Sequence, residues 1–188
     1  MADRATLTKP TTVDEFDHFA ALPENVGHKL QLVDGEIIEE MPKFAHARIA
    51  SRLILWLGKF FEEHPIGEVF AELRIALPDE LINARIPDIC VVIGRQDELA
   101  GLGVNDALPF MPDLIIEIQS EGQTDRYMSD LADYYLERGC RMVWIIYPDL
   151  KLVEWLTPTE RHLLLLEGTI SGGDVLPGLS VSVAKLFA

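Results

Sequence analysis

Two apolar stretches decide the expected fold of this chain: Ile86-Pro87-Asp88-Ile89-Cys90-Val91-Val92-Ile93 and Pro112-Asp113-Leu114-Ile115-Ile116-Glu117-Ile118-Gln119-Ser120. Both are rich in β-branched and other apolar residues, which predicts two core strands. Asp88 and Glu117 therefore fall among buried neighbours, where an uncompensated ionised carboxylate costs several kcal/mol. A divalent cation shared by the two carboxylates would compensate them, and such an ion can activate water and neutralise a phosphate.

A structural role is the alternative for these acids. Either one can lie at a strand end, in contact with solvent or paired with an arginine such as Arg74 or Arg85. For one acid alone we favour that role, whereas the pair on two core strands favours a site. The two cysteines, Cys90 and Cys140, lack metal-ligand spacing and are expected to be small buried side chains.

Length and composition predict a single domain over residues 1–188. A chain of 188 residues with 48% hydrophobic content can bury a substantial core. It contains no apolar run of the roughly 18 residues that a membrane span requires. Residues 1–12 lack the apolar centre of a signal peptide. We therefore expect a cytoplasmic protein without a membrane partner.

The net charge limits the kinds of partner. The chain has 31 acidic against 16 basic residues, a formal charge of −15. This charge disfavours tight, nonspecific binding to a phosphate polymer, and the sequence has no run of Lys or Arg. Any contact with DNA is expected to be local, metal-assisted or shared across a homo-oligomer.

Hydrophobic periodicity and turn residues predict the order of elements. The chain begins with a short helix through Phe16 after a cap at Thr11-Thr12, followed by a hairpin of 30–33 and 36–41 with an Asp34-Gly35 turn. The central part contains a helix at 45–64, strands at 68–77, 86–93 and 113–119, a helix around 127–136 and a strand at 142–147. A hairpin of 152–156 and 162–166 comes next, and a short strand and helical turn lie within 176–187. A long Gly-rich loop separates 86–93 from 113–119. The expected class is α/β (α+β), with a mixed central sheet flanked by helices and a core at about residues 45–147.

The order α-β-β-β-α-β resembles the core of the PD-(D/E)XK nuclease superfamily. More narrowly, the chain resembles the Uma-two family, a bacterial group described as "putative restriction endonucleases". The resemblance extends over nearly the whole chain from about residue 12. The matching residues are Asp34-Gly35-Glu36, His46, Pro87-Asp88, Pro112-Asp113-Leu114-Ile115-Ile116-Glu117, Ser120, Tyr135, Gly139, Trp144, Pro148 and Leu176-Pro177-Gly178-Leu179-Ser180.

The resemblance implies that Asp88, Glu117 and the backbone carbonyl of Ile118 bind Mg²⁺ or Mn²⁺. The superfamily places a lysine two residues beyond the glutamate, where this chain has Gln119. An amide can orient water but supplies no positive charge. Some family members place the lysine on the following helix, at a position that aligns with Leu131, and Arg126 is the nearest cation there.

Several roles remain open in the sequence. His46 is either a site residue or a capping and packing residue, and either Glu36 or Glu39 can face inward. Asp113 is expected to open its strand as a structural residue. Two functions follow: a divalent-metal-dependent endonuclease that hydrolyses DNA phosphodiester bonds, weakened by Gln119, or a catalytically inactive, nuclease-like protein-interaction module. We favour the endonuclease.

Overall fold

The computed structural model describes residues 12–40 and 43–188, which form two compact units. The small unit comprises residues 12–40, Arg74–Ile86 and Ala107–Phe110. The sheet unit comprises residues 43–73, 87–106 and 111–188. The predicted cap residue Thr11 and the predicted strand end Met41 lie outside the described residues. The prediction of a single domain stays a prediction.

The small unit contains helix α1 (Val13–Ala20) and the hairpin of strands β1 (Lys29–Val33) and β2 (Glu36–Glu40). Thr12 caps α1, because its hydroxyl accepts from the Glu15 N–H while the Glu15 carboxylate accepts from the Thr12 N–H. The hairpin turn requires positive φ at both central residues, and Asp34 (φ 48°) and Gly35 (φ 74°) provide it. The predicted hairpin is therefore present.

The sheet unit contains the remaining helices and strands. They are α2 (Phe44–Glu63), β3 (Gly67–Ala71), β4 (Ile89–Ile93), α3 (Gln96–Ala100), β5 (Leu114–Ile118), α4 (Asp125–Glu137), β6 (Met142–Tyr147), β7 (Leu152–Leu156), β8 (Arg161–Leu164), β9 (Thr169–Ser171), β10 (Ser180–Ser182) and α5 (Val183–Phe187). The main sheet has the order β3-β4-β5-β6-β7-β8. Strands β5 and β6 are parallel and the other pairs are antiparallel, so the sheet is mixed.

The side chains of strand β5 point alternately to the two faces of this sheet. Leu114, Ile116 and Ile118 belong to the hydrophobic core that includes the apolar side of α2. Alternation directs Ile115 and Glu117 to the opposite face, and α4 covers that face, since Tyr135 of α4 contacts Glu117. The predicted α/β class with a mixed sheet flanked by helices is confirmed.

Several local predictions differ from the structure. The strand expected over 68–77 ends at Ala71, because Glu72 turns the chain with φ 50°. The strand expected over 86–93 begins at Ile89, so Asp88 precedes the strand. The loop predicted between the second and third core strands contains the short helix α3, and β9, which pairs with β10, was not predicted.

Candidate active site

Asp88 lies immediately before β4 and is held by two donors. Its Oδ2 accepts a hydrogen bond of 2.8 Å from the Ile118 backbone N–H. The same oxygen lies 2.9 Å from Nε2 of His46. An ionised carboxylate can only accept, so with Asp88 ionised it is Nε2 that carries the hydrogen in this contact. The carboxylate is therefore fixed against the end of β5.

His46 joins the first turn of α2 to the start of β4. It is the third residue of that helix, and its residue exposure of 6% matches the burial of Asp88 at 4%. The structure thus places this sequence-predicted site residue against a predicted metal ligand. A capping role for His46 is not what the geometry shows, because the contact is with Asp88 rather than with the helix backbone.

Glu117 is buried on the α4 side of β5. Its Oε1 accepts a hydrogen bond of 2.7 Å from the hydroxyl of Tyr135, whose side chain is fully buried. The predicted helix placed Tyr135 on an apolar side, and nothing in that spacing indicated a bond to Glu117. A buried tyrosine needs a partner for its hydroxyl, and this was the signal available in the sequence.

The strand register brings the two acids together. Ile89 is paired with Ile116 in the antiparallel pair of β4 and β5. Counting one step past this pair aligns position 88 with position 117, although Asp88 itself lies before β4. The Ile118 N–H points towards Asp88, and in a strand the carbonyl of the same residue points to the same side. Asp88, Glu117 and the Ile118 backbone therefore lie at the same end of the paired strands β4 and β5.

Gln119 has other partners. Its Nε2 donates to the Gln123 carbonyl and to Oδ1 of Asp125, both at 3.0 Å. Asp125 is the first residue of α4, so the amide holds the β5–α4 connection in place. Gln119 lies two residues beyond Glu117, and its amide nitrogen is directed to this connection.

The two alternative positions for a cation are unsuitable. Leu131 is a buried apolar residue of α4. The Arg126 side chain is 90% exposed and lies 3.7 Å from Asp130 on the same helix. Neither residue brings a positive charge to Asp88 and Glu117.

The remaining acids and arginines considered in the sequence have structural contacts. Asp113 accepts from the Ile93 N–H at 2.8 Å and from Arg141 at 3.1 Å, so it opens β5 as expected. Within the small unit, Glu39 contacts His28, Arg74 pairs with Asp17 and Arg85 donates to Asn83. Glu36 lies on β2 and is exposed.

The two cysteines are buried thiols. The pKa of Cys90 is raised from 9.0 to about 12, most by burial and less by the neighbouring Cys140 and Glu117. Burial also raises the pKa of Cys140 to about 12. Both side chains are therefore neutral at physiological pH and are poor nucleophiles and metal ligands.

The donor set at the sheet end suits a hard cation. Within residues 12–40 and 43–188, no three His, Cys, Asp or Glu side chains converge as a metal site. Two carboxylates and a backbone carbonyl are nevertheless sufficient for Mg²⁺, which uses one or two carboxylates and keeps several waters. Asp88, Glu117 and Ile118 fit this requirement.

Comparison with known proteins adds an independent observation. Residues 15–184 match the Uma2 family, which is described as "Putative restriction endonuclease". The chain belongs to the Uma2 (Uma-two) family. This Uma2 protein is also similar to the crystal structure of a "putative nuclease belonging to DUF820" from Anabaena variabilis. The identity is 26% and the TM-score 0.77, over 95% of this chain and 98% of that chain.

These findings support a nuclease. No match was found among curated proteins. In the described part of this Uma2 protein, no helix has the length and apolar character needed to cross a membrane.

Proposed function

We propose that this protein is a divalent-metal-dependent endonuclease that hydrolyses DNA phosphodiester bonds. The observation that carries the proposal is that Asp88 and Glu117 lie at the same end of the paired strands β4 and β5, where the Ile118 N–H donates to Asp88. The family match and the similar nuclease structure agree with this reading. Mg²⁺ or Mn²⁺ is the proposed cofactor, because both favour carboxylate and carbonyl oxygens.

The proposed chemistry assigns separate tasks to the residues. Asp88, Glu117 and the Ile118 carbonyl would hold the ion, which when bound supplies Lewis-acid stabilisation of the phosphate and a lowered pKa for its water. His46 orients the Asp88 carboxylate, and Tyr135 orients that of Glu117. Such partners of metal ligands fix ligand geometry, and their loss typically weakens metal binding about 10- to 100-fold.

Gln119 itself supplies no positive charge to the proposed site, which is expected to weaken catalysis by this residue. Transition-state charge on the phosphate is best stabilised by a positive group directed at it, and the Gln119 amide is both neutral and bonded to the β5–α4 connection. The proposed site therefore retains metal binding while it lacks the usual lysine at this position.

The test is Mn²⁺ titration with thermal melting, followed by cleavage assays on supercoiled and single-stranded DNA. If the ion binds only the native protein, metal at about 100 times its dissociation constant adds about 2.7 kcal/mol to the free energy of unfolding. Asp88→Asn should abolish both this shift and cleavage. Asp149→Asn, a matched change at an exposed turn residue, should retain both. An equal metal shift in wild type and Asp88→Asn would contradict the proposal.

A non-catalytic interaction module is the second candidate. The bonded Gln119 amide and the charge of −15 favour it, because both weaken contact with a phosphate. For this module we expect no cleavage by wild type, and a homo-oligomer is a further prediction for either function. Sedimentation velocity measures that oligomeric state directly.

A further inference from the structure

Lys43 and Glu121 form an ion pair between two segments that each adjoin residues of the proposed site. Lys43 is the residue immediately before α2, and Glu121 lies in the connection between β5 and α4. The Lys43 ammonium contacts Oε2 of Glu121. The two side chains are 66% and 75% exposed, so the pair lies at the surface and can be reached from solvent.

The pair has a defined position relative to the acids. Lys43 precedes His46 by three residues, and His46 contacts Asp88. Glu121 follows Gln119 by two residues and Glu117 by four. The ion pair therefore joins the start of α2, which carries His46, to the β5–α4 connection, which follows Glu117. Leu131 and Arg126 provide no charge at the proposed site.

We propose that Lys43 binds the DNA phosphate at the proposed site and supplies the positive charge that Gln119 does not. This inference rests on the proposed nuclease function. A lysine head on a flexible four-carbon stem can move from one anion to another, and an exposed ion pair is weak enough to exchange. Glu121 then holds the ammonium beside the site in the free protein and releases it to the phosphate when DNA binds.

The test compares Lys43→Met, Lys43→Arg and Glu121→Gln with the control Lys59→Met. Lys59 is exposed on α2, about 24 Å along the helix from Lys43 at 1.5 Å per residue. The first measurement is kcat/KM for cleavage of duplex DNA with Mn²⁺. The second is the salt dependence of binding to a fluorescent duplex, measured by anisotropy in Ca²⁺ and in chelator. The melting temperature of each variant verifies its folding.

Lys43→Met should lower kcat/KM by about 100-fold, the typical effect of removing one group that stabilises transition-state charge. It should also reduce the slope of log binding constant against log salt by about 1. Lys43→Arg should retain most of the binding, and Lys59→Met should behave as wild type. Glu121→Gln should raise affinity for DNA in the wild-type background and have little effect in Lys43→Met, since the two residues are coupled.

The outcomes separate the two proposals. If wild type cleaves DNA and Lys43→Met cleaves equally well, the inference about Lys43 fails and the nuclease function stands. If wild type binds DNA without cleaving it, the nuclease proposal fails, and the salt slope of Lys43→Met alone decides whether Lys43 contacts phosphate. If wild type binds no DNA under any condition, both proposals are overturned.

Discussion

The hydrogen bond from Tyr135 to Glu117 allows a quantitative prediction about the buried acid. Tyr135→Phe removes only the hydroxyl that donates to Oε1 at 2.7 Å. Both residues are buried, so water cannot readily replace the lost donor. A hydrogen bond to a charged group contributes about 1.5–3 kcal/mol. We therefore expect the free energy of unfolding in chelator to fall by about this amount.

Urea denaturation in chelator measures this loss directly. For a chain of this length the loss corresponds to a decrease in melting temperature of about 3–12 °C, at about 2–4 °C per kcal/mol. Tyr134→Phe is the matched control, because Tyr134 is the neighbouring, only partly buried tyrosine, and its ring contact with Arg138 persists in phenylalanine. The control should change stability by less than about 0.5 kcal/mol, as is usual away from buried features.

The same substitution in a Glu117→Gln background tests the charge on the acid. A neutral amide oxygen still accepts from Tyr135, but that bond contributes only about 1 kcal/mol. Tyr135→Phe should therefore cost less in Glu117→Gln than in wild type. Equal costs in the two backgrounds would show that Glu117 is uncharged in the metal-free protein. A loss no larger than that of Tyr134→Phe would refute the reasoning about the buried bond.

Three further predictions follow from contacts at or near the site. Gln119→Lys should raise DNA cleavage, because an ammonium there stabilises transition-state charge; unchanged cleavage in folded, metal-bound protein would count against this. His46→Ala should weaken Mn²⁺ binding about 10- to 100-fold by removing the donor to Asp88, which calorimetric titration measures. The Cys90 and Cys140 thiols should resist alkylation at pH 8 in folded protein. Folding raises the pKa of both thiols from 9.0 to about 12. The contribution of these thiols to the free energy of unfolding should therefore be fully present below about pH 9 and decrease between about pH 9 and pH 12, as urea denaturation at each pH can show.

The sequence predicts the core elements well because their signals are local. An Asp-Gly pair at 34–35 specifies the hairpin turn, and a long apolar period specifies α2. The predicted extension of the strand beyond Ala71 was wrong, because an alternating pattern of apolar residues indicates which side chains are buried but not which strand they pair with. Ile75 is buried within the small unit, where it bridges to Arg85 and Leu108 instead of continuing β3. The five-residue α3 is too short for periodicity to reveal.

The site was predictable to the extent that strand order determines it. The antiparallel pairing of β4 and β5 brings the start of β4, next to Asp88, to the end of β5 that carries Glu117. The contacts that orient these acids depend on tertiary packing between distant segments. His46 is 42 residues from Asp88, and Lys43 is 78 residues from Glu121. Periodicity carries no information about such pairs, so the role of Tyr135 and the position of Lys43 emerged only from the structure.

The buried acids are costly features that the core does not need. Apolar residues of similar volume at Asp88 and Glu117 would pack without the desolvation cost that each carboxylate carries. The fold instead supplies an imidazole, a phenol and a backbone N–H to hold them in fixed orientations. Departures of this kind from the locally most stable choice concentrate at functional sites. We therefore infer that Asp88 and Glu117 serve the proposed function rather than the stability of the fold.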